Sequence, residues 1–551
     1  MEAFKIIYSV LGGLGIFFYG MKNMSESLQS VAGDVVKNTI SKITTNRISA
    51  VGVGIIVTML VQSSSVTTVM VVGFVNAGLM NLAQAIGVIF GANIGTTITG
   101  WIISIKIGKY GLLLIGMGIF PLLFGKTNKT RQIGRMFFAI GMIFFGLKIM
   151  SDSFKPLRSM PEFLDMISYF SEQNYGSYFA CIVVGCILTM VIQSSSAMLG
   201  ITIALASTGV IQFHTAAALV LGENIGTTIT ALLASVGANI TAKRAARAHA
   251  IFNMFGVIVV FAFFPLYVTF IDWVVPGASN LTNEAGEYVN IAVHIATGHT
   301  IFNVTATILF IPLLNVLANV VTKITPDHGQ KEQHHLVMLG DPSTMIPATA
   351  LAQAQAEIMK MRDVVGRQYK LAEEIFLNST SENMSEHIIK CKHYEDITDN
   401  MQKEITVFIV KLMVSPLSEH ESELARSVLK EADELESISD YIDRLVSYTE
   451  RTPIKDILKD DAKVDFEDFF NSVKSYYDLV SKQILSNTVD KAVIQRTSEE
   501  LRLRAEVIRT NHLKRVSSGT YDALSALTYS DMIVALRKIR SHTQNAAEAH
   551  V

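Results

Sequence analysis

The sequence predicts an all-α protein with two parts: a polytopic membrane domain of two inverted repeats with re-entrant hairpins, and a soluble helical bundle domain that follows it. Three observations support this prediction. The 551 residues are 50% hydrophobic, but long apolar runs stop near residue 322 and charged amphipathic patterns follow. Blocks of matching residues recur in the same order within the apolar part. The tetrapeptide Gln-Ser-Ser-Ser interrupts an apolar run in each copy.

The internal duplication rests on three matched blocks. The first pair is offset by 126 residues, and the other two pairs are offset by 131. The matched blocks are residues 15–28 with 141–154, 62–65 with 193–196, and 91–100 with 222–231. Internal repeats in membrane proteins are typical of transporters, whose sites lie where the repeats meet. We assign residues 1–130 to the first repeat, and 131–322 to the second repeat plus a final span.

Each repeat is predicted to contain the same order of elements. In the first repeat these are a helix at 5–24, a hairpin at 48–80 that breaks at 62–65, a broken span at 82–105 and a short span at 110–124. Residues 48–80 are long for one crossing, which takes about 20 residues, and short for two. A pair of half-helices therefore fits best. The equivalent elements of the second repeat are predicted at 135–150, 177–210, 214–238 and 248–274, with a last span at 288–322.

The distribution of Lys and Arg predicts the orientation. Loops at 25–47, 125–134 and 240–247 carry nine of these residues, against four on the other side. Such an excess marks the cytoplasmic side. Three crossings per repeat would then invert the second repeat. The two Gln-Ser-Ser-Ser segments, which we call the first tip (62–65) and the second tip (193–196), are expected to meet near the midplane.

The tips and the two Asn-Ile-Gly-Thr-Thr segments place polar groups where an unsatisfied group costs about 2–7 kcal/mol. A half-helix that begins at a tip directs free N–H groups and its positive dipole end into the cavity. Nearby glycines would let the chain unwind and present carbonyl oxygens to a cation. The combination fits a cation-coupled anion carrier. The candidate site residues are Gln62, Ser63, Ser64, Ser65, Asn93, Thr96, Thr97, Gln193, Ser194, Ser195, Ser196, Glu223, Asn224, Thr227 and Thr228.

Structural alternatives stay open for some of these residues. A single Ser in a membrane helix usually bonds to a carbonyl or packs between helices. A carboxylate inside the membrane is costly and usually has a functional role. Glu223 is therefore either a cation ligand or the partner of a Lys or Arg. Two His-x-Ile-Phe-Asn segments could line the pathway or form helix–helix hydrogen bonds. Their polar residues are His249, Asn253, His299 and Asn303.

The paired tips, each followed by G-x-N-I-G-T, together with the two H-x-x-F-N segments, resemble the type II sodium–phosphate cotransporter family over about residues 5–322. The resemblance implies symport of inorganic phosphate with sodium ions, and a site formed by both tips. One feature departs from the family pattern. Its animal members carry H-x-x-F-N in the first repeat as well, whereas both copies here follow the second tip, so a symmetric pair of histidines is not expected.

Residues 323–345 are predicted to be a linker, and 346–551 a cytoplasmic helical domain that resembles PhoU. Helices are predicted at 347–378, 383–414, 418–450, 463–487, 489–516 and 519–547, which suggests two three-helix bundles. Glu395 and Asp399 share a helical face, as do Glu436 and Asp440. The resemblance to PhoU implies that they bind a divalent or iron-type metal, and a solvated charged face is the alternative. Arg537 and Ser541 occupy the matching positions of the last helix, so a second metal site is not expected.

The sequence therefore predicts a sodium-coupled phosphate transporter in the lipid bilayer of a bacterial inner membrane, and not an enzyme. A phosphate exporter, a carrier of another oxyanion and a membrane phosphate-sensing scaffold are the alternatives. The net charge of −2 gives no basic excess for nucleic acid. Cys181, Cys186 and Cys391 have no metal-binding spacing. The sequence leaves the oligomeric state open, and a homodimer is compatible with it.

Overall fold

A computed structural model describes residues 2–41, 46–76, 80–105, 110–236, 238–326, 342, 347–377, 384–414, 417, 419–486, 488–519 and 521–550. Over these residues the fold is all-α, as predicted, with one isolated β-bridge between Thr282 and Tyr288. The chain divides into two compact units, Met1–His328 and Gly329–Val551. We call the first the membrane unit, because all seven described helices that are long and apolar enough to span a bilayer lie in it.

The membrane unit is a succession of helices joined by short connections. In order, these are α1 (Glu2–Ser41), α2 (Arg47–Val61), α3 (Ser64–Asn76), α4 (Leu82–Ser104), α5 (Gly111–Phe124), α6 (Asn128–Phe154), a 3-10 helix (Lys155–Ser159), α7 (Pro161–Ser171), α8 (Tyr175–Ile192), α9 (Ser195–Ser207), α10 (Phe213–Gly226), α11 (Ile229–Ala234), α12 (Ile240–Ala262), α13 (Phe264–Val274) and α14 (Ile291–Ile324).

The predicted breaks at both tips are confirmed. Gln62 ends α2 with φ 58° and ψ 23°, and its N–H donates to the Thr58 carbonyl. Gln193 ends α8 with φ 57° and ψ 24°, and its N–H donates to the Thr189 carbonyl. Both residues are in the left-handed region, which no L-residue continues as a helix. The chain therefore turns, and α3 and α9 begin two residues further on.

The prediction of a broken span at 82–105 is wrong, because α4 is continuous from Leu82 to Ser104. Its glycines allow close packing instead of unwinding. A Cβ on Gly91 would lie 2.0 Å from the Val51 carbonyl oxygen of α2, so only a glycine fits there. The equivalent segment of the second repeat does break, since α10 ends at Gly226 and α11 begins at Ile229. The span predicted at 248–274 is also two helices, which meet at Phe263, just before Pro265.

The same glycine contacts recur in the helix pairs α2–α4 and α8–α10. A Cβ on Gly222 would lie 2.0 Å from the Ile182 carbonyl oxygen, the position 131 residues after Val51. A Cβ on Gly54 would lie 2.1 Å from the Val88 carbonyl oxygen, and one on Gly185 would lie 2.2 Å from that of Leu219, again at an offset of 131. Equivalent helices thus approach each other to the same backbone distance, and this positions both tips.

Helices α1 and α6, which carry the matched blocks at 15–28 and 141–154, pack directly against each other. Gly13 contacts Gly146, and Gly20 contacts Ala139 further along, so the two helices run antiparallel. Another pair is tied together at one end. The Arg244 side chain of α12 donates to the Thr325 carbonyl at 2.9 Å, and Arg247 donates to the Ile324 carbonyl at 2.9 Å. These bonds cap the last turn of α14.

The second unit contains α15 (Pro347–Leu377), α16 (Met384–Leu412), α17 (Glu419–Arg451), the single turn α18 (Ile454–Ile457), α19 (Asp460–Leu485), α20 (Lys491–Ser517) and α21 (Ala523–Glu548). The six predicted long helices are confirmed to within a few residues. They share one hydrophobic core, because α17 packs on α21 as well as on α15 and α16. Large aromatic side chains fill this core, among them Tyr369, Phe466, Phe470, Tyr476 and Tyr529.

Candidate functional site

The two tips converge on one cavity of about 160 Å³. A buried water needs only about 10–15 Å³ of such space, so the cavity has room for an oxyanion and some water. All eight residues of the two tips line it, together with Met21 and Ser25 of α1. The structure thus brings together residues that lie 131 positions apart in the sequence.

One serine of each tip serves as a helix cap. The Ser63 hydroxyl accepts a hydrogen bond from the Val66 N–H at 3.2 Å, and the Ser194 hydroxyl accepts one from the Ala197 N–H at 3.3 Å. This is the N-cap role that serine favours. Among the described residues, no side-chain hydrogen bond occupies the hydroxyls of the next two serines of either tip, which also line the cavity. They are Ser64, Ser65, Ser195 and Ser196.

Gln62 is held by two hydrogen bonds that fix its amide in the wall of the cavity. Its Oε1 accepts from the Thr99 hydroxyl at 3.1 Å, and its Nε2 donates to the Met59 carbonyl at 2.6 Å. None of the ten lining residues is charged. The site therefore offers neutral dipoles: hydroxyls, amides and the N-terminal ends of α3 and α9. Helix N-termini of this kind bind anions.

The other candidate residues are buried but do not line this cavity. They are Asn93, Thr96, Thr97, Glu223, Asn224, Thr227 and Thr228. Three of the threonines donate to carbonyls three or four residues earlier in the chain at 2.8 Å: Thr97 to Ile94, Thr227 to Glu223, and Thr228 to Ile225. Their hydroxyl oxygens keep lone pairs that can accept or coordinate. Because α4 is unbroken, the carbonyls expected to turn inward at 91–97 remain in helical hydrogen bonds.

Glu223 is 2% exposed, and its carboxylate accepts a hydrogen bond from the Thr202 hydroxyl of α9 at 2.9 Å. Across the described residues it forms no ion pair with Lys or Arg, although the sequence left that alternative open. An ionised carboxylate at this depth needs a compensating positive charge. The link to Thr202 connects Glu223 to the helix that begins at the second tip.

The two His-x-Ile-Phe-Asn segments contact asparagines of different repeats, which their sequence order did not suggest. His249 of α12 lies with its Nε2 3.4 Å from Asn93 Oδ1 of the first repeat. Asn303 of α14 donates to Asn224 Oδ1 of the second repeat at 3.4 Å. Both motif asparagines, Asn253 and Asn303, also donate to the carbonyl of their own motif histidine. Each motif therefore contacts the asparagine of one Asn-Ile-Gly-Thr-Thr segment, and the helix–helix bonding alternative is the arrangement observed.

Sequence reasoning missed the two cavity residues on α1. Met21 and Ser25 share one face of the helix at a spacing of four residues. The Ser25 hydroxyl donates to the Val61 carbonyl at 2.6 Å, at the end of α2. The only available signal was that Ser25 matches Ser151 in the duplicated block, which did not place either residue at a tip.

The predicted metal ligands of the second unit lie on α16 and α17 among other carboxylates. Asp399 pairs with Lys403 at 2.6 Å, and Asp440 pairs with Arg444 at 2.8 Å. Burial, and then the neighbouring Asp443, raise the pKa of Glu395 to about 7. Burial also raises the pKa of Glu436. Among the residues that the structure describes, no group of three or more His, Cys, Asp or Glu side chains is arranged to hold a metal ion.

Comparison with known proteins places the membrane unit in a recognised group. The sequence model described as Na+/Pi-cotransporter matches residues 16–152 and 165–271. "Uncharacterized protein YqeW" of Bacillus subtilis is 31% identical over 324 residues, which cover 58% of this chain and 99% of that protein. "Putative inorganic phosphate export protein YjbB" of Salmonella typhimurium is 23% identical over 80% of this chain and 77% of its own length.

A shorter match connects the chain to an animal protein. "Sodium-dependent phosphate transport protein 2A" of Rattus norvegicus is 39% identical over 100 residues, which cover 17% of this chain and 15% of the rat protein. No solved structure matches the chain.

Proposed function

We propose that this chain, which belongs to the Na+/Pi-cotransporter family, is a sodium-coupled inorganic phosphate transporter of a bacterial inner membrane. Membership of the family supports phosphate transport. The observation that carries the more specific proposal is the cavity lined by both tips, Gln62–Ser65 and Gln193–Ser196. The free hydroxyls and the two helix N-termini suit a tetrahedral oxyanion, whose oxygens accept hydrogen bonds.

Charge balance supports coupling to a cation. Inorganic phosphate carries between one and two negative charges at pH 7, because its second pKa lies close to that pH. No lining residue carries a positive charge. Moving the anion through a medium of low dielectric therefore requires cations to move with it. We assign the sodium ions to the oxygen-rich groups behind the tips, which are Asn93, Thr96, Thr97, Glu223, Asn224, Thr227 and Thr228.

Uptake of radiolabelled phosphate into proteoliposomes, with and without a sodium gradient, tests the function. Ser64→Ala and Ser195→Ala should each reduce transport about ten- to hundredfold, because each removes a donor to a charged group worth about 1.5–3 kcal/mol. Ser168→Ala, which changes an exposed serine of α7, is the matched control and should transport normally. Wild-type uptake from both tip variants would reject the site.

Coupling between the two ligands is tested by binding. Raising sodium should lower the apparent Kd for phosphate, and raising phosphate should lower the half-saturating sodium concentration, because such coupling is reciprocal. Equal phosphate binding when choline replaces sodium would reject sodium coupling.

Net export is the second candidate, and the name of the YjbB relative favours it. Export and import are the same cycle run under different gradients. Efflux from loaded vesicles into a sodium-free or sodium-containing medium therefore distinguishes obligatory coupling from simple downhill release. A phosphate-sensing scaffold would give binding without flux in either direction.

The antiparallel packing of α1 and α6 supports an inverted second repeat, because these helices carry the matched blocks. The proposed orientation puts the second unit in the cytoplasm as a PhoU-like regulatory domain. Its candidate metal ligands are Glu395, Asp399, Glu436 and Asp440. Metal binding would require Asp399 and Asp440 to leave Lys403 and Arg444. A calorimetric titration with Mn²⁺ and Fe²⁺ tests this, and no heat of binding would reject it.

A further inference from the structure

The two tips have the same local backbone but differ in burial. Gln62 and Gln193 have nearly identical left-handed conformations, with φ of 58° and 57°. Gln62 is 6% exposed and Ser64 is 2% exposed, whereas Gln193 is exposed and Ser195 is only partly buried. Since the local sequence and backbone match, the difference arises from what packs over each tip.

Helix α1 covers the first tip. Met21 and Ser25 of α1 form a wall of the cavity, and the Ser25 hydroxyl donates to the Val61 carbonyl at 2.6 Å. Val61 is the last residue of α2, and the last carbonyls of a helix have no acceptor role within the helix itself. Ser25 therefore closes the cavity on one side and holds the end of α2 in place.

The second repeat contains the same parts in another arrangement. Leu147 and Ser151 of α6 match Met21 and Ser25 at an offset of 126, and Ile192 matches Val61 at an offset of 131. Leu147 and Ser151 do not line the cavity, and within the described part of the chain Ser151 makes no side-chain hydrogen bond. Helix α6 packs against α1 and against α9, the helix that begins at the second tip, without reaching the cavity.

We infer that Ser25 and Ser151 are positioning residues that act in turn. In the opposite state of the transporter, α6 covers the second tip, Ser151 donates to the Ile192 carbonyl, and α1 withdraws from the first tip. Leu147 and Ser151 then replace Met21 and Ser25 in the cavity wall. This inference rests on the proposed function, because it requires transport through two alternating states.

The matched sequences explain why the two states have comparable free energies. Exchanging the conformations of the two repeats produces a state in which every contact of α1 with the first tip has an equivalent contact of α6 with the second. Two states of similar free energy, related by the repeats around a fixed site, are what alternating access needs. In the state described the first tip is covered and the second is exposed, and in the opposite state these two environments are exchanged.

Ser151→Ala distinguishes a role in the opposite state from a role in the present one, because Ser151 makes no side-chain hydrogen bond that the variant would remove in the state described. We expect Ser25→Ala and Ser151→Ala each to slow phosphate uptake about two- to tenfold, the effect of losing one neutral hydrogen bond. Ser168→Ala, in the exposed part of α7, should leave uptake unchanged. Wild-type uptake by Ser151→Ala, with Ser25→Ala slowed, would overturn the inference.

Cysteine pairs test the exchange without a transport readout. Two double variants of the full chain are prepared in lipid nanodiscs: Ser25→Cys/Val61→Cys and Ser151→Cys/Ile192→Cys. Each is oxidised, denatured and alkylated, and its mass is measured by mass spectrometry. The chain has three native cysteines, so a cross-link lowers the number of free thiols from five to three. Each single cysteine variant is the control for pairing with a native thiol.

We expect the 25/61 pair to cross-link without ligand. The 151/192 pair should cross-link in a growing fraction with time, faster when phosphate and sodium are both present. No 151/192 cross-link under any condition, in a preparation whose 25/61 pair does cross-link, would overturn the inference. A 151/192 cross-link in a protein that fails to take up phosphate would support the exchange and reject the phosphate function alone.

Discussion

Replacing Gly91 or Gly222 by Ala should destabilise the membrane unit by the same large amount. The added Cβ would lie 2.0 Å from the Val51 carbonyl oxygen in the first case and 2.0 Å from the Ile182 carbonyl oxygen in the second. Ordinary contact begins at 3.4 Å, so each helix pair would have to separate by more than about 1 Å. Neither oxygen can rotate away, because each belongs to the backbone of a helix.

The cost follows from this geometry. Overpacking a well-packed interior typically costs about 1–3 kcal/mol, and a rigid backbone neighbour places both variants at the upper end. Separation would also weaken the close packing at Gly54 and Gly185, where an added Cβ would lie only 2.1 and 2.2 Å from carbonyl oxygens of the neighbouring helix. At roughly 2–4 °C per kcal/mol, the midpoint of unfolding should fall by about 6–12 °C.

Tryptophan fluorescence during heating provides the assay. The chain has two tryptophans, Trp101 and Trp273, both in the membrane unit, and Trp101 lies on α4 itself. Gly52→Ala is the matched control on α2, because its Cβ would meet nothing within 4 Å. That variant should be neutral or gain about 0.5–1 kcal/mol from helix propensity. A Gly91→Ala midpoint within 1 °C of the control would refute the packing argument, and a drop at only one of the two glycines would refute the equivalence of the repeats.

Two further predictions concern the stability of the second unit, measured by calorimetry of the full chain. Both tryptophans lie in the membrane unit, so the unfolding transition that appears in calorimetry but not in tryptophan fluorescence belongs to the second unit. Glu395→Gln should raise its stability at pH 8 and flatten its pH dependence. Burial and Asp443 raise the pKa of Glu395 from 4.5 to about 7, so its contribution is full below pH 4.5 and is lost as the pH rises through 7. An unchanged profile from pH 5 to 8 would contradict this. Arg362→Met should destabilise the unit by about 3–5 kcal/mol, because it leaves the buried carboxylate of Glu431 with His550 alone. Arg362→Met/Glu431→Leu should recover much of that loss, and a single variant as stable as the double one would contradict the prediction.

The sequence predicted the breaks at the tips because the polar pattern at these positions is compatible with only one kind of structure. Four polar residues inside an apolar run cannot remain in a lipid-facing helix, and the structure shows a left-handed glutamine at both positions. The convergence of the tips was expected from the matched blocks together with the loop charges. The contribution of Met21 and Ser25 depends on how α1 packs, and no local pattern encodes that.

The glycines at 91 and 95, just before and in the first Asn-Ile-Gly-Thr-Thr segment, were misread for a physical reason. Glycine permits both unusual backbone angles and close backbone approach, and its place in a sequence does not distinguish the two. At Gly91 and Gly95 the second use applies, and α4 stays helical. Helix–helix hydrogen bonding was one of the two predicted roles of His249 and Asn303, but their partners were not predicted. Chain order put both motifs after the second tip, while the fold brings His249 to Asn93 of the first repeat and Asn303 to Asn224 of the second.

The arginine bonds at the end of α14 have a practical consequence for dissecting the molecule. A chain truncated before α14 would lose Asn303, the side-chain partner of Asn224. It would also lose the carbonyls of Ile324 and Thr325 to which Arg247 and Arg244 donate. The smallest fragment that keeps these contacts therefore extends to at least Thr325. A hybrid that joins another soluble domain to this membrane unit should therefore be fused beyond Thr325.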